Sequence, residues 1–251
     1  MFVNVYALQA RHHVMQVFGK LGVIILTIVC FMAVWIRQTP PYPDLGGTGD
    51  LKLYPVDQAN LSPEFFEFRA ALIKALERRD LNYVLDHVDD TIRYSFGPNE
   101  GVKGFLEYWD LGAAPEQSQF WDELLQVLRL GGKFIDPDQD MFMAPYVYTS
   151  FPEQLDPFQH AVVVGRDVKV YAEPVFSAQV LGTLTYSIVQ LIPHQDMYEI
   201  SGEETVWCKI MARSGSIGYV PDQFVRSPVD YRAGFSKTNG EWKLVFFVAG
   251  D

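Results

Sequence analysis

Apolar positions along this chain follow three rhythms in turn. From Leu21 to Ile36 they run without interruption by charge, LGVIILTIVCFMAVWI. Between Pro63 and Leu130 they recur at helical spacing. From Val168 to Val248 they alternate with polar residues in short runs, the pattern of strands with one buried face.

The first rhythm predicts a membrane segment. Arg11, His12, His13 and Lys20 precede the run, so a basic region leads into an apolar one. A spanning helix needs roughly 20 apolar residues, and Val17 and Phe18 extend the run toward that length. Basic residues before it, with Asp44 and Asp50 after it, favour the N-terminus inside and the body outside, although Arg37 opposes this. No small-x-small cleavage site stands out, and Thr27-Ile28-Val29-Cys30 lacks the small residue that a bacterial lipoprotein box places before its Cys. Residues 1–37 are therefore expected to be a single-pass inner-membrane anchor with a periplasmic or otherwise extracytoplasmic body. Secretion after cleavage is the alternative. Residues 38–61, rich in Pro and then in Gly, read as an extended and then flexible linker.

The second rhythm predicts four helices. Ser62-Pro63-Glu64 supplies an N-cap, a Pro at the first position and an acid in the first turn. Phe65, Phe68, Leu72, Ala75 and Leu76 then share a face. A second helix is expected from Asp80 to about His87, a third over Gly101–Trp109, and a fourth over Gln117–Leu130, stopped by Gly131-Gly132. Thr91–Phe96 alternates like a strand, and Met141–Phe151 is aromatic and prone to strand.

The third rhythm predicts a small barrel. Five short alternating runs are separated by Gly, Pro, Ser and Asp clusters. A hairpin then follows around Asn239-Gly240, the strongest short turn signal available. Its second strand is apolar on both faces, with Leu244, Phe246 and Val248 on one and Val245 and Phe247 on the other. Such a strand needs cover on both sides, and an isolated hairpin is marginal in water. The hairpin is therefore expected to complete the sheet of the helical segment, which makes the barrel an insertion.

Residues 161–228 resemble bacterial Src-homology-3-like (SH3-like) domains. The likeness lies in Val168-Lys169-Val170-Tyr171-Ala172-Glu173-Pro174, Val180-Leu181-Gly182-Thr183-Leu184, Trp207-Cys208-Lys209-Ile210 and Gly215-Ser216-Ile217-Gly218-Tyr219-Val220, closed by Gln223-Phe224-Val225. Lys169 and Tyr171 stand where that family usually has Asn and Arg. Residues 75–82 and Gly101-Val102-Lys103-Gly104-Phe105 resemble the opening of the nuclear transport factor 2-like cone fold, and the pattern around Gly240 and Trp242 resembles its last hairpin. The expected fold class is α+β: an N-terminal membrane helix, a mixed helix and sheet domain formed by residues 62–158 and 229–251, and an inserted SH3-like β-barrel at 159–228.

Charge narrows the partners. Three of the 20 basic residues and none of the 31 acidic ones precede Asp44, so the remainder carries a net −14. An acidic body repels nucleic acid. The two cysteines, Cys30 and Cys208, lie too far apart in character to pair, and no Cys/His metal cluster can be assembled. Alternation puts Cys208 on the inward face with Ile210, as a small buried hydrophobe. Asp136, Asp138 and Asp140 alternate as in a calcium loop, but Met141 and Val147 stand where the motif needs Gly and Glu. His87 with Asp86, Asp89 and Asp90 reads as a helix-end surface cluster, and His160 and His194 are isolated.

No residue set forms an active site and no cofactor is implied. The expected function is non-enzymatic: an envelope-associated protein that recognises a peptide, protein or cell-wall ligand through the barrel aromatics Tyr171, Trp207 and Tyr219. The alternative is an enzyme or small-ligand binder with a cone-shaped pocket lined by Tyr94, Phe96, Phe105, Trp109 and Trp121.

Overall fold

The computed structural model describes residues 42–193 and 205–250. One part of the expected fold class is corrected. Among the described residues no helix is long and apolar enough to cross a membrane. The longest, α1 (Pro63–Glu77), has 15 residues and at 1.5 Å rise spans about 22 Å, short of a hydrocarbon core of about 30 Å. It also buries only one face. The run 21–36, on which a membrane helix was expected, lies outside the described residues, as do Cys30 and His194. The described chain is a mixed fold of five α-helices and twelve strands in two sheets.

Ser62 caps α1, its Oγ accepting from the Phe65 N–H at 3.4 Å. Asp80 caps α2 (Leu81–Asp86) through the Tyr83 N–H. Strand β1 (Val88–Arg93) begins three residues earlier than alternation suggests. Helix α3 (Gly101–Tyr108) lies on β1, and its two glycines permit the approach. Gly101 has φ 61°, and a side chain there would collide with the Asp90 carbonyl oxygen; one at Gly104 would collide with the Tyr94 hydroxyl. Helix α4 (Phe120–Arg129) stops at Gly131, with φ 71°.

A five-stranded sheet has the order β1-β12-β11-β3-β2, with β2 (Lys133–Phe134), β3 (Met141–Ala144), β11 (Arg232–Thr238) and β12 (Glu241–Val248). The closing hairpin supplies its centre. β12 pairs parallel with β1, and β11 pairs antiparallel with β3. At the turn, Asn239 and Gly240 both take positive φ. One row across the sheet reads Phe134, Phe142, Phe235, Leu244, Val88. These side chains pack against the helices, together with Phe65, Phe120 and Trp121. The next row reads Lys133, Met143, Gly234, Phe246, Arg93 and forms the opposite face; a bulge at Val245 puts Phe246 there rather than on the face of Leu244, where strict alternation would place it. Tyr146–Ser150, read as strand-prone, instead forms one helical turn, α5, after Pro145.

Between β3 and β11 the chain builds a seven-stranded antiparallel sheet, ordered β10-β4-β7-β8-β9-β5-β6. Its strands are β4 (His160–Val163), β5 (Val168–Tyr171), β6 (Val180–Leu184), β7 (Ile188–Leu191), β8 (Trp207–Met211), β9 (Ile217–Pro221) and β10 (Val225–Arg226). Val163 and Val225 from one edge share a single core with Val168 and Leu184 from the other. The sheet must therefore curl around its own interior.

Residues 42–58 are docked, unlike the flexible linker expected there. The Leu45 N–H donates to the Thr183 carbonyl, the Thr183 N–H donates to the Pro43 carbonyl, Leu53 donates to Tyr186, and Gln58 donates to Gly132. Leu53 reaches a third apolar cluster, with Tyr146 and Val147 from one sheet's flank and Val162 and Ile188 from the other. This strap and cluster join both sheets into one compact unit over 42–251.

Candidate functional site

Strand alternation places Tyr171, Trp207, Lys209 and Tyr219 on the outward face of the curled sheet. Tyr171 lies opposite Tyr219 in the ladder, and its ring is 5.3 Å from that of Trp207. Tyr171 and Trp207 are nevertheless buried. Phe176, itself exposed, covers them, with its ring 4.9 Å from Trp207. Tyr219 is half-buried beneath the Lys209 ammonium, 5.6 Å from the ring. The three aromatics are thus neighbours, but they present one partly open ring rather than a groove.

The cone-shaped pocket is filled at the residues expected to line it. Tyr94, Phe105, Trp109 and Trp121 are buried members of the main core, with Trp109 stacked on Phe247 at 5.1 Å. Phe96 points away and is exposed. His87 stacks on Tyr83 at 4.3 Å and its Nδ1 lies 2.8 Å from the Tyr83 carbonyl, a helix-end arrangement. The Asp136 carboxylate accepts from the N–H groups of Asp140 and Met141, which closes the β2–β3 turn. Among the described residues no three metal-ligating side chains converge.

A concavity the sequence did not announce lies between α4, the end of the curled sheet and the start of β11. It encloses about 920 Å³. Phe158, Ile192, Val206, Val225 and Val229 supply apolar walls. Among the described residues five charged side chains line it: the carboxyls of Glu123, Asp222 and Asp230, and the cations Lys209 and Arg226. Arg226 is almost fully buried. Its Nη1 donates to Gln126 Oε1 at 2.9 Å and its Nη2 to the Tyr231 carbonyl at 2.8 Å. Glu123 is 3.9 Å from Nη1 and Asp230 is 3.7 Å from Nε, so both attract the guanidinium without hydrogen-bonding it. Asp230 instead accepts from the Ser227 N–H at 2.7 Å.

All three carboxyls are held above the usual carboxylate range. Burial is the leading cause for Glu123, ahead of the opposing pull of Arg226, and neighbouring Asp230 adds to it. Burial also leads for Asp230 and outweighs both Arg226 and the Ser227 N–H. For Asp222, on the exposed rim, loss of water again leads. Arg226, flanked by Glu123 and Asp230, and Lys209 thus face three carboxyls, so the described lining carries one more carboxyl than cations.

Cys208 also lines the cleft. It shares the inward face as expected, packing against the curled sheet's core, but it is half-buried rather than buried. Burial pushes its thiol up to about 12, with Asp222 and Asp230 contributing. That disfavours the thiolate a nucleophile requires.

Glu123, Arg226 and Asp230 were not singled out from the sequence. Glu123 and Gln126 lie three apart on α4, so one helical face carries both. Their partner Arg226 is 100 residues away from Gln126, and no local period reports such a pairing. The available signal was Arg226 itself, a cation between the inward-facing Val225 and the closing hairpin. No family model, curated protein or solved structure matches this chain.

Proposed function

We propose that this is a non-enzymatic binding protein whose cleft between α4 and the curled sheet takes a lysine- or arginine-bearing peptide. The observation that carries this reading is the charge balance of the cleft: three carboxyls against the two cations Arg226 and Lys209, with apolar walls beside them. A cationic side chain would supply the missing counter-charge while its aliphatic stem lies on the walls. The resemblance of residues 161–228 to bacterial SH3-like domains favours a peptide over a small metabolite. Against an enzyme stand the filled core at Trp109 and Trp121 and the raised thiol of Cys208.

The test is a calorimetric titration of the full chain with a short apolar peptide carrying lysines and with its glutamate counterpart. The lysine peptide should bind, and binding should weaken with added salt, since part of the attraction is screened over about 10 Å at 0.1 M. Asp222→Asn combined with Glu123→Gln should weaken it about tenfold, the size of one lost charge-assisted bond. Equal affinity for both peptides would sink the proposal.

A further inference from the structure

The free face of the five-stranded sheet presents a second, opposite kind of chemistry. Its row Lys133, Met143, Gly234, Phe246, Arg93 contains two cations and no acid, on a protein whose overall charge is −11. Arg232 precedes Gly234 by two residues on β11, so it shares this face. Tyr231 faces the other way, onto Trp109 and Phe247.

Arg232 is only 7 % exposed. Its guanidinium lies 5.0 Å from the centre of the Tyr148 ring and 5.7 Å from that of Phe96. Both rings are themselves exposed at the surface. Among the described residues no carboxylate pairs with Arg232, and its Nη1 is shut off from solvent without an acceptor. A buried cation without counter-charge is costly, and aromatic faces offset only part of that cost. The other buried arginines are answered differently. Arg69 makes a two-pronged pair with Asp57 at 2.8 and 2.7 Å, and Arg226 has Gln126, Glu123 and Asp230.

We propose that Arg232 anchors a second binding site, for a small oxyanion carried by a carboxylate or a phosphate group. A guanidinium presents parallel N–H donors that match either group. The oxyanion would supply the counter-charge the guanidinium lacks and, once the exposed rings of Phe96 and Tyr148 part to admit it, an acceptor for Nη1. An apolar portion of the ligand would lie against Phe96 and Tyr148, and Arg93 adds favourable charge on the same face. The site is on the opposite side of β11 from the acidic cleft, so it does not rest on the proposed peptide binding.

The test titrates the full chain with inorganic phosphate and, separately, with benzoate, against chloride at constant ionic strength. At least one should give saturable heat and a saturable rise in Tm. Arg232→Met keeps an unbranched chain between the rings and should weaken that binding by about tenfold or more, the loss expected for hydrogen bonds to a charged group. A second measurement needs no variant. Modification of Arg232 by an arginine-specific dicarbonyl, read by mass spectrometry, should be slowed by the bound anion, while that of exposed Arg78 should not. Response to phosphate alone identifies a phosphoryl ligand, and response to benzoate alone a carboxylate. Saturable heat from neither, or equal binding by Arg232→Met, would overturn the proposal.

Discussion

Glu123 shows how one side chain can work against the fold and for the site. Burial raises its pKa, so the folded protein holds the Glu123 proton more tightly than the unfolded chain does. By linkage, that contribution to stability is complete below the ordinary carboxylate range and is lost as pH rises through the raised value. Glu123→Gln should therefore raise Tm at about pH 8 and leave it unchanged at about pH 4, below the ordinary glutamate pKa. A variant less stable than the parent at the higher pH would show that attraction to Arg226 outweighs burial. Cys208 permits a separate measurement. With its thiol near 12, labelling should be slow at neutral pH and quicken about tenfold per pH unit, following the thiolate fraction. A peptide in the cleft should slow it further, because Cys208 lines the wall. Fast labelling at neutral pH that the peptide leaves unchanged would contradict the placement. Of these residues only Cys208 was legible in the sequence, because strand alternation reports a face. Glu123 on α4 meets Arg226 and Asp230 from a segment about a hundred residues later, a pairing no local period reports.

At the scale of elements, capping and glycine chemistry were the most legible features. Ser62, Asp80 and Gly131 bound their helices as their side chains or backbone freedom require. The strands beside the helices were harder to read. β2 has two residues and no alternation to detect, and β1 is an edge strand whose outward positions include Asp89 and Thr91. The helical turn at Tyr146–Ser150 was hidden because its aromatic and β-branched residues favour strands; bonds from the Tyr148 and Thr149 N–H groups to the Pro145 carbonyl close it, and Tyr146 and Val147 pack into the joint between the sheets. The spacing of Gly101 and Gly104 in α3 has a physical cause that can be tested. Alanine is a better helix former than glycine by about 1 kcal/mol, so propensity alone predicts that Gly101→Ala stabilises. The opposite is expected here. Gly101 has a positive φ, and a side chain there meets the Asp90 carbonyl, which belongs to backbone and cannot swing aside. The variant should lose about 1–3 kcal/mol by overpacking, seen as a lower denaturant midpoint. An unchanged or higher midpoint would mean that α3 can lift from β1 at no cost.

For the whole molecule, the question is whether the two sheets unfold together. Each has a core of its own: the curled sheet around Val170, Ile210 and Val220, and the five-stranded sheet around Phe65, Phe142 and Trp121. Two separate cores alone would permit two transitions. Three features argue against it. The chain enters the curled sheet from α5 and returns through β11, so two connections tie it to the five-stranded sheet. The strap formed by residues 42–58 bonds first to Thr183 and Tyr186 and then to Gly132, crossing from one sheet to the other. Leu53 on that strap packs into the shared cluster with Tyr146, Val147, Val162 and Ile188. The cleft depends on the same joint, because α4 contributes one wall and β10 another. Calorimetry of the full chain should therefore show a single transition for residues 42–251. Leu53→Ala should lower stability by about 2–3 kcal/mol, the small end of the range for a buried leucine, without splitting that transition, and should weaken peptide binding in the cleft alongside it. Two resolved transitions in the unaltered chain would show that the joint is too weak to couple the sheets. A split that appears only in Leu53→Ala would instead show that this one side chain holds the coupling.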